Sequence, residues 1–245
     1  MLSRIRRIAE GTRFAPEAGR YHLYVALGCP WAAGTLMALK HKGLDKVIGH
    51  SIVHPTWRKT SADPDDKHTG WHFKSPGDDP VANELGHGSF ECDDACVPDT
   101  VNGCRTIREL YEKAQDTAGK YSTPVLWDCK EGTIVSNESM DILKILDSSF
   151  GEFCEHPERR LFKAEEMAEA EALNEFIYPT VNNGVYRSGF ARSQEAHSIA
   201  ATELFESLDR LEAHLAGSGR AFLTGDEMTW LDVRLYNTLV RFDRA

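Results

Sequence analysis

The chain has 245 residues, enough for one large domain or two small ones. Hydrophobic residues make up 41% of it and charged residues 27%, as in an ordinary globular protein. The formal net charge is -10, which argues against a nucleic-acid binder because such a protein needs a basic surface. No apolar run approaches the roughly 20 residues that span a bilayer, so we predict a soluble protein without a membrane partner.

The N-terminal sequence MLSRIRRIAEG is basic and amphipathic. It lacks the apolar central segment of a secretory signal, so we do not expect export. Strand-like sequence begins soon afterwards, at Tyr21, which leaves little room for a transit peptide. We therefore predict a cytoplasmic protein, with the mitochondrion or the plastid as the alternative location.

Six cysteines are scattered along a chain with no secretory signal, so a disulfide framework is not expected. Cys92, Cys96 and Cys104, together with His87, raise the alternative of a zinc site. Their spacing lacks paired CxxC motifs, and the segment is rich in Gly and Asp. We interpret it as a surface loop and predict no bound metal.

The first half of the chain alternates strand-like and helical patterns. An apolar run at 21–27 predicts a strand, residues 30–42 predict a helix that Gly43 ends, and residues 47–53 predict a second strand. Residues 54–104 are rich in Pro, Gly, Asp and His and predict a long loop. The remaining predictions are a helix at 107–114, a hairpin-like strand pair at 124–128 and 132–135, and a helix at 139–146.

The pattern changes near residues 150–157, and beyond them the chain is predicted to be helical throughout. Apolar residues recur at helical spacing over 162–178 and 194–215. Thr229 and Asp232 have the spacing of a capping box at the start of another helix. We therefore predict an α/β domain at 1–152 and an all-α domain at 153–245.

Cys29 and Pro30 lie where the first predicted strand gives way to the first helix. Proline is favoured at that position because its missing N–H costs nothing there. A thiol beside the unpaired N–H groups and the positive end of the helix dipole is stabilised as thiolate. The local pattern fits a nucleophile, and a small buried cysteine at a tight turn is the alternative.

Two further sites fit a peptide ligand. The proline after Thr123 opens a predicted strand, which suggests a turn with a cis peptide bond that directs the Thr123 backbone outward; a plain strand-edge proline is the alternative. Glu138 and Ser139 lie at a predicted helix start. Ser139 can bind a carboxylate there and Glu138 can accept from an ammonium group, with ordinary helix capping as the alternative.

Together, a thiolate, an outward-facing backbone and a pocket for an anion and a cation fit one ligand, glutathione. It is an extended tripeptide with a thiol and a zwitterionic end. We therefore predict glutathione as a co-substrate.

Longer motifs carry a resemblance that covers residues 13–243, nearly the whole chain. They follow one another in the order of the glutathionyl-hydroquinone reductases, the Xi-class glutathione transferases. These motifs are YHLYVALGCPWA, GWHF, STPVLWD, GTIVSNES, NEFIYPTVNNGVYRSGF and LDVRLYNTLVRFD. CPWA and VNNGVYRSGF are the segments most specific to that class. The resemblance implies a thioredoxin-like domain followed by a helical glutathione-transferase domain.

The resemblance also implies roles for individual residues. Cys29 matches the family nucleophile, and Tyr186 matches the tyrosine that acts as proton donor near the hydroquinone oxygen. The implied glutathione-binding residues are Trp71, which packs on glutathione, Lys120, the backbone-pairing Thr123 with Pro124, and the γ-glutamyl pair Glu138 and Ser139.

The chain departs from the family pattern at several positions. Lys120 replaces an arginine, which keeps the charge but loses the fork geometry, and Thr123 replaces a valine. Ala33 and Gly34 stand where the family has His-Arg. Relatives begin before the first strand and continue past Ala245 with a helical segment that contributes tyrosines near the cysteine. We therefore expect this chain to be truncated at its C-terminus relative to the family.

The implied reaction is the glutathione-dependent reduction of glutathionyl-hydroquinones through a Cys29–glutathione mixed disulfide, releasing oxidised glutathione. CPWA offers no local resolving thiol, so a second glutathione must resolve the disulfide. Two alternatives remain: an omega-type thiol transferase or dehydroascorbate reductase, and a non-catalytic binding module. The expected partners are glutathione and a glutathionylated quinol, and a homodimer is left open.

Overall fold

The structure is a computed structural model that describes residues 8–84 and 86–242. It divides the chain into two compact units, Met1–Pro157 and Glu158–Ala245, whereas the predicted boundary lies between residues 152 and 153. Most of the basic N-terminal segment, residues 1–7, and the end of the last family motif, at residue 243, lie outside the described residues. In the part of the chain that is described, no helix has both the length and the apolarity needed to cross a membrane.

The first unit is built on a four-stranded mixed sheet. In chain order its elements are β1 (Tyr21–Val25), α1 (Pro30–His41), β2 (Gly49–Ile52), β3 (His54–Lys59), β4 (Thr69–His72), α2 (Ile107–Lys113), β5 (Val125–Asp128), β6 (Thr133–Ser136) and α3 (Ser139–Ser148). The sheet has the order β2-β1-β5-β6, with β1 parallel to β2 and antiparallel to β5, and β5 antiparallel to β6. A βαβ unit followed by a hairpin and a helix is the thioredoxin-like arrangement that the sequence predicts.

The hydrophobic core of the first unit lies between this sheet and the helices that pack against it. Leu110 and Tyr111 of α2 share one buried cluster with Tyr24 of β1 and Trp127 of β5. Helices α1 and α3 pack against each other, and they contact β1 and β6 respectively. Because side chains alternate along a strand, fully buried Leu23 faces the opposite side of β1 from Tyr24.

The predicted loop at 54–104 is wrong in its first part, because β3 and β4 form a separate two-stranded antiparallel sheet there. Pro55 lies inside β3, and Arg58 and Lys59 at its end are exposed. A strand with an internal proline and mostly exposed side chains has no hydrophobic alternation to reveal it. The surface-loop interpretation also fails for Cys92 and Cys96, which are both buried.

A buried ion pair closes one end of the β1–β5 pair. The Arg20 guanidinium donates from Nε and Nη2 to Oδ2 of Asp128, at 2.9 and 2.7 Å. The second carboxylate oxygen of Asp128 accepts the backbone N–H groups of Lys130 and Glu131, at 2.9 and 3.0 Å. Every strong acceptor of this fully buried carboxylate is therefore occupied, which is what a charge without access to water requires.

The second unit is helical, as predicted. In chain order it contains α4 (Met167–Ile177), a π-helical turn (Tyr178–Asn182), α5 (Gly184–Gly189), α6 (Gln194–Ser218) and α7 (Trp230–Leu239). The predicted capping box is confirmed: the Thr229 N–H donates to Oδ2 of Asp232 at 2.8 Å at the start of α7. Ser193 caps the start of α6, where its side chain accepts the N–H of Ala196, and Gly219, with φ of +65°, caps its end.

His22 lies on β1 among buried groups. Its Nε2 is 2.8 Å from Oγ of Ser51, and its ring packs against that of Tyr24 with the centroids 4.7 Å apart. Burial lowers the pKa of His22 to about 4, because the imidazolium would lose its hydration in this position.

This burial makes the stability of the first unit depend on pH. As the pH falls through about 6.5, the unfolded chain binds a proton at His22 and the folded chain does not, so stability is lost towards the folded pKa of about 4. Between about pH 7 and about pH 5 this loss amounts to about 2 kcal/mol. Urea unfolding at both pH values should show a correspondingly smaller loss in His22→Gln. Equal losses in the two proteins would contradict the assignment.

Candidate active site

Cys29 is the N-cap residue of α1, with extended backbone angles (φ −99°, ψ 113°) and Pro30 at the first helical position. Its carbonyl accepts the Ala33 N–H at 2.9 Å, and its own N–H donates to the Ala26 carbonyl at 3.1 Å. The first turn of α1 holds no acidic residue, so no side-chain charge there opposes the positive end of the helix. The half-buried thiol therefore lies where the sequence predicts a nucleophile.

Thr123 approaches this thiol from the start of β5. The Cys29 thiol faces the Thr123 carbonyl, with Sγ and O 3.8 Å apart. The peptide bond between Thr123 and Pro124 is cis, the geometry considered from the sequence. Among the described residues, neither the N–H nor the buried hydroxyl of Thr123 has a hydrogen-bond partner. A backbone donor of this kind beside a thiol can pair with an extended peptide.

Trp71 lies on β4 near the same turn. It packs against the core cluster under α2, as Cys29 does, and its ring tip is 4.0 Å from the position of a Cβ on Gly28. Trp57 of β3 meets Trp71 edge to face, with ring centroids 5.2 Å apart, and is 48% exposed. Trp57 was not predicted as a site residue, because its region has the composition of a loop. An exposed tryptophan in a polar segment was the available signal.

Glu138 and Ser139 form the start of α3. Glu138 is the N-cap residue and Ser139 the first helical residue, and no side chain caps this helix. The Glu138 N–H donates to Oγ of Ser136 at 3.1 Å, while its carboxylate is exposed. Ordinary side-chain capping, the alternative considered above, therefore does not describe these residues, and both polar groups remain available to a ligand.

Tyr111 joins the two halves of this region. Its hydroxyl donates to the Ser122 carbonyl at 3.0 Å and accepts from Nδ2 of Asn137 at 3.0 Å. Ser122 precedes Thr123, and Asn137 precedes Glu138. Burial raises the pKa of Tyr111, so its hydroxyl keeps its proton and the link persists. The sequence analysis did not single out Tyr111, since its neighbours in space are distant in sequence.

Lys120 is the remaining predicted glutathione-binding residue, and Cys104 is a second cysteine in this part of the first unit. Lys120 is exposed just before this segment, and among the described residues it has no ion pair. Cys104 packs against the same cluster as Cys29, but burial, with Asp99 nearby, raises the pKa of its thiol to about 12. Cys104 therefore stays protonated and is a poor nucleophile.

Tyr186 belongs to the second unit, on α5. Its hydroxyl accepts a hydrogen bond from Nη2 of Arg241, and its ring stacks on that of Phe190 with centroids 6.1 Å apart. Helices α5, α6 and α7 enclose a cleft of about 630 Å³ around this ring, which we call the aromatic cleft. Its aromatic and charged lining residues are Tyr186, Phe190, His197, Phe205, Arg241 and Phe242.

The fold and the site together define a class. A thioredoxin-like unit with a cysteine at the start of its first helix, followed by a helical unit, is the architecture of the glutathione transferases. The chain matches the family "Glutathione S-transferase, N-terminal domain" over residues 28–149 and "Glutathione S-transferase, C-terminal domain" over residues 170–245.

Individual relatives indicate which class of glutathione transferase the chain belongs to. The glutathionyl-hydroquinone reductase PcpF of Sphingobium chlorophenolicum is 40% identical over 231 residues, which are 94% of this chain and 64% of the relative. The glutathione S-transferase omega-like 2 of Schizosaccharomyces pombe is 38% identical over 237 residues, 94% of this chain and 66% of the relative. The Xi glutathione transferase ECM4 of Saccharomyces cerevisiae, solved in complex with glutathione, is 32% identical with a TM-score of 0.81, covering 97% of this chain and 77% of that one.

The chain belongs to the Xi class of glutathione transferases, as the resemblance implies. It spans 64% of the length of PcpF and 66% of that of the fission-yeast relative.

Proposed function

We propose that this protein reduces glutathionyl-hydroquinones to hydroquinones, with Cys29 as the nucleophile and glutathione as the reductant. The observation that carries the proposal is the 3.8 Å approach of the Cys29 thiol to the carbonyl of Thr123, whose own N–H has no partner among the described residues. This pairs a reactive thiol with a backbone segment that suits a bound peptide.

Glutathione fits this site in one orientation. Its cysteinyl backbone pairs with Thr123, which places its sulfur next to Sγ of Cys29. Its γ-glutamyl carboxylate meets the Ser139 hydroxyl and the N-terminus of α3, and its ammonium group meets the Glu138 carboxylate. Trp71 supplies an apolar wall, and Lys120 supplies a charge for the glycyl carboxylate. The Tyr111 bridge sets the spacing between the Thr123 and Glu138 ends of the site.

The chemistry follows from thiol exchange. The Cys29 thiolate attacks the glutathionyl sulfur of the substrate, and the bond between that sulfur and the aromatic carbon breaks. The electron pair goes to the aromatic carbon, which takes up a proton, so hydroquinone leaves and Cys29 remains joined to glutathione. A second glutathione thiolate then attacks the mixed disulfide, releasing oxidised glutathione and restoring the Cys29 thiolate. Overall, the glutathionyl sulfur of the substrate and the thiol of one glutathione become a disulfide, while the aromatic carbon exchanges its bond to sulfur for a bond to hydrogen.

Tyr186 is proposed as the acid of the first step. Its hydroxyl accepts a hydrogen bond from Arg241, which holds the phenol oxygen in place within the aromatic cleft. The aromatic rings around it suit a quinol, since stacked and edge-to-face contacts favour planar ligands.

The second candidate is a thiol transferase of the omega type, which the name of the fission-yeast relative favours. It uses the same cysteine and the same glutathione site but exchanges sulfur only between thiols. Turnover of a small mixed disulfide without turnover of a glutathionyl-hydroquinone would select this candidate. A protein that binds glutathione and turns over neither substrate would be a binding module.

The first prediction from the proposed function concerns the mixed-disulfide intermediate. One equivalent of a glutathionylated hydroquinone should leave one glutathione per chain, located on Cys29 by peptide mass spectrometry, because only this thiol lies at a helix N-cap beside Thr123. Cys29→Ser should abolish the adduct and the turnover. Cys129→Ser, at an exposed cysteine away from the site, is the matched control and should behave as wild type. An adduct on Cys104 or Cys129 would refute the assignment.

The second prediction concerns the γ-glutamyl end. Ser139→Ala removes a charge-assisted hydrogen bond worth about 1.5–3 kcal/mol, so the Kd for glutathione should rise roughly 10- to 100-fold. Ser148→Ala at the other end of α3 is the control, because the Ser148 hydroxyl only back-bonds to the Lys144 carbonyl. Calorimetry that gives both variants the wild-type affinity would remove Ser139 from the site.

The third prediction separates the two chemical steps. Tyr186→Phe should lower glutathionyl-hydroquinone turnover by roughly 10²- to 10⁴-fold, because only carbon–sulfur cleavage needs an acid. Its turnover of a small mixed disulfide should stay at the wild-type rate. Tyr236→Phe, at an exposed tyrosine of α7, is the control for loss of a phenol from the same unit. Equal losses on both substrates would assign Tyr186 a structural role.

A further inference from the structure

A second group of sulfur and nitrogen donors lies outside the proposed glutathione site, where the chain after β4 returns to the start of β3. Its members are His54, Cys92 and Cys96, and their donor atoms lie within 4.8 Å of one another. All three side chains are buried, with 0%, 5% and 3% exposure. The neighbouring candidates from the sequence are elsewhere: His87 is exposed, and Cys104 packs under α2.

A hydrogen-bonded backbone turn brings the two cysteines together. The N–H of Cys96 donates to the Asp93 carbonyl at 2.9 Å, and the Asp93 carboxylate accepts the Ala95 N–H at 3.0 Å, which closes a turn between the cysteines. The next residue, Val97, exchanges two backbone hydrogen bonds with Ile52, at 2.9 and 3.0 Å. Since Ile52 is two residues before His54, this bridge fixes the turn beside the imidazole.

The hydrogen bonds of His54 determine its tautomer. Nδ1 accepts the N–H of Thr56 at 3.1 Å, so Nδ1 carries the lone pair and Nε2 carries the proton. Nε2 is 3.3 Å from the carbonyl of Glu91. Glu91 directly precedes Cys92, so the Nε2 edge of the imidazole faces the segment that carries the cysteines.

The plain alternative is that these residues simply fill a small core. The buried apolar cluster around the two cysteines contains only one other member among the described residues, Val81. Two thiols and an imidazole are the donors that zinc prefers, and a tetrahedral ion needs only one further ligand.

We propose that His54, Cys92 and Cys96 bind one zinc ion, with water as the fourth ligand. Binding releases the protons of the two thiols, and the ion bonds to both sulfur atoms and to one ring nitrogen of His54, while the ring proton stays on the other nitrogen. The ion has a structural role. It links the segment before Val97 to β3. Because β3 pairs with β4, this link also stabilises the strand that carries Trp71.

This inference reverses the sequence prediction of no metal. That prediction counted ligands only within the 87–104 segment, where no pair of CxxC motifs occurs. The third ligand comes from His54, 38 positions before Cys92, and pairing of β3 and the Ile52–Val97 bridge bring it there.

The test uses the full chain, purified with reductant and without chelator, and its zinc content measured by plasma mass spectrometry. The zinc-free protein is then titrated with Co²⁺, which reports thiolate ligands by charge-transfer absorption and tetrahedral geometry by its visible bands. We expect one ion per chain and both absorption features. Wild-type protein that gives no charge-transfer absorption with Co²⁺ overturns the proposal, whatever the variants do.

Variants then locate the site. Cys92→Ser and Cys96→Ser should each weaken zinc binding at least ~100-fold, since even loss of an outer contact costs 10- to 100-fold. Cys104→Ser is the matched control, because this cysteine lies in the same segment but outside the cluster, and it should bind as wild type. A chelator should lower the Tm of wild type and of Cys104→Ser but not that of His54→Gln. Zinc binding that survives in both Cys92→Ser and Cys96→Ser overturns the proposal.

Discussion

The antiparallel pairing of β1 with β5 is the constraint on which the candidate site depends. Tyr24 pairs with Val125, so the chain that leaves β1 and the chain that enters β5 meet at one end of the sheet. Cys29 follows β1 and Thr123 precedes β5, and this register alone brings them within 3.8 Å. A slip of one residue would turn each side chain to the other face. The buried pair of Arg20 and Asp128 at the opposite end opposes such a slip, because it would leave two charges uncompensated.

The remaining parts of the site depend on α2, which carries no proposed ligand contact. Its Tyr111 joins the segment before Thr123 to the segment before Glu138 through two hydrogen bonds of 3.0 Å. One buried hydroxyl thus sets the distance between the backbone proposed to pair with glutathione and the helix start proposed to bind its charged end. The structure reveals this positioning role, but the sequence does not predict it. A tyrosine on the apolar face of a helix has the same pattern as an ordinary core residue.

Local signals in the sequence predicted the parts of the fold that depend on neighbouring residues. Pro30 at the start of a helix, Gly43 after its end, and the Thr229–Asp232 capping box each act within one helical turn, and each was found. The strands β3 and β4 were not predicted, because they are defined by their pairing with each other and not by a strand-like composition. For the same reason, the sequence did not predict the contact between Trp57 and Trp71, or the proximity of His54 to two cysteines. In each case the decisive contact joins segments whose separation no local pattern encodes.

The two chemical steps proposed for Cys29 make different demands, and the two units can be matched to them. Exchange between sulfur atoms needs a thiolate, a bound glutathione and a good leaving thiolate, and every group proposed for that purpose lies in the first unit. Cleavage of an aromatic carbon–sulfur bond is harder, because the electron pair passes to carbon and a proton must arrive there. The proposed proton donor, Tyr186, belongs to the second unit, where its hydroxyl accepts a hydrogen bond from Arg241 and aromatic rings line the cleft around it. Under the proposed function, the thioredoxin-like unit therefore carries the groups for disulfide exchange, and specificity for a quinol rests on Tyr186 and the aromatic cleft of the helical unit.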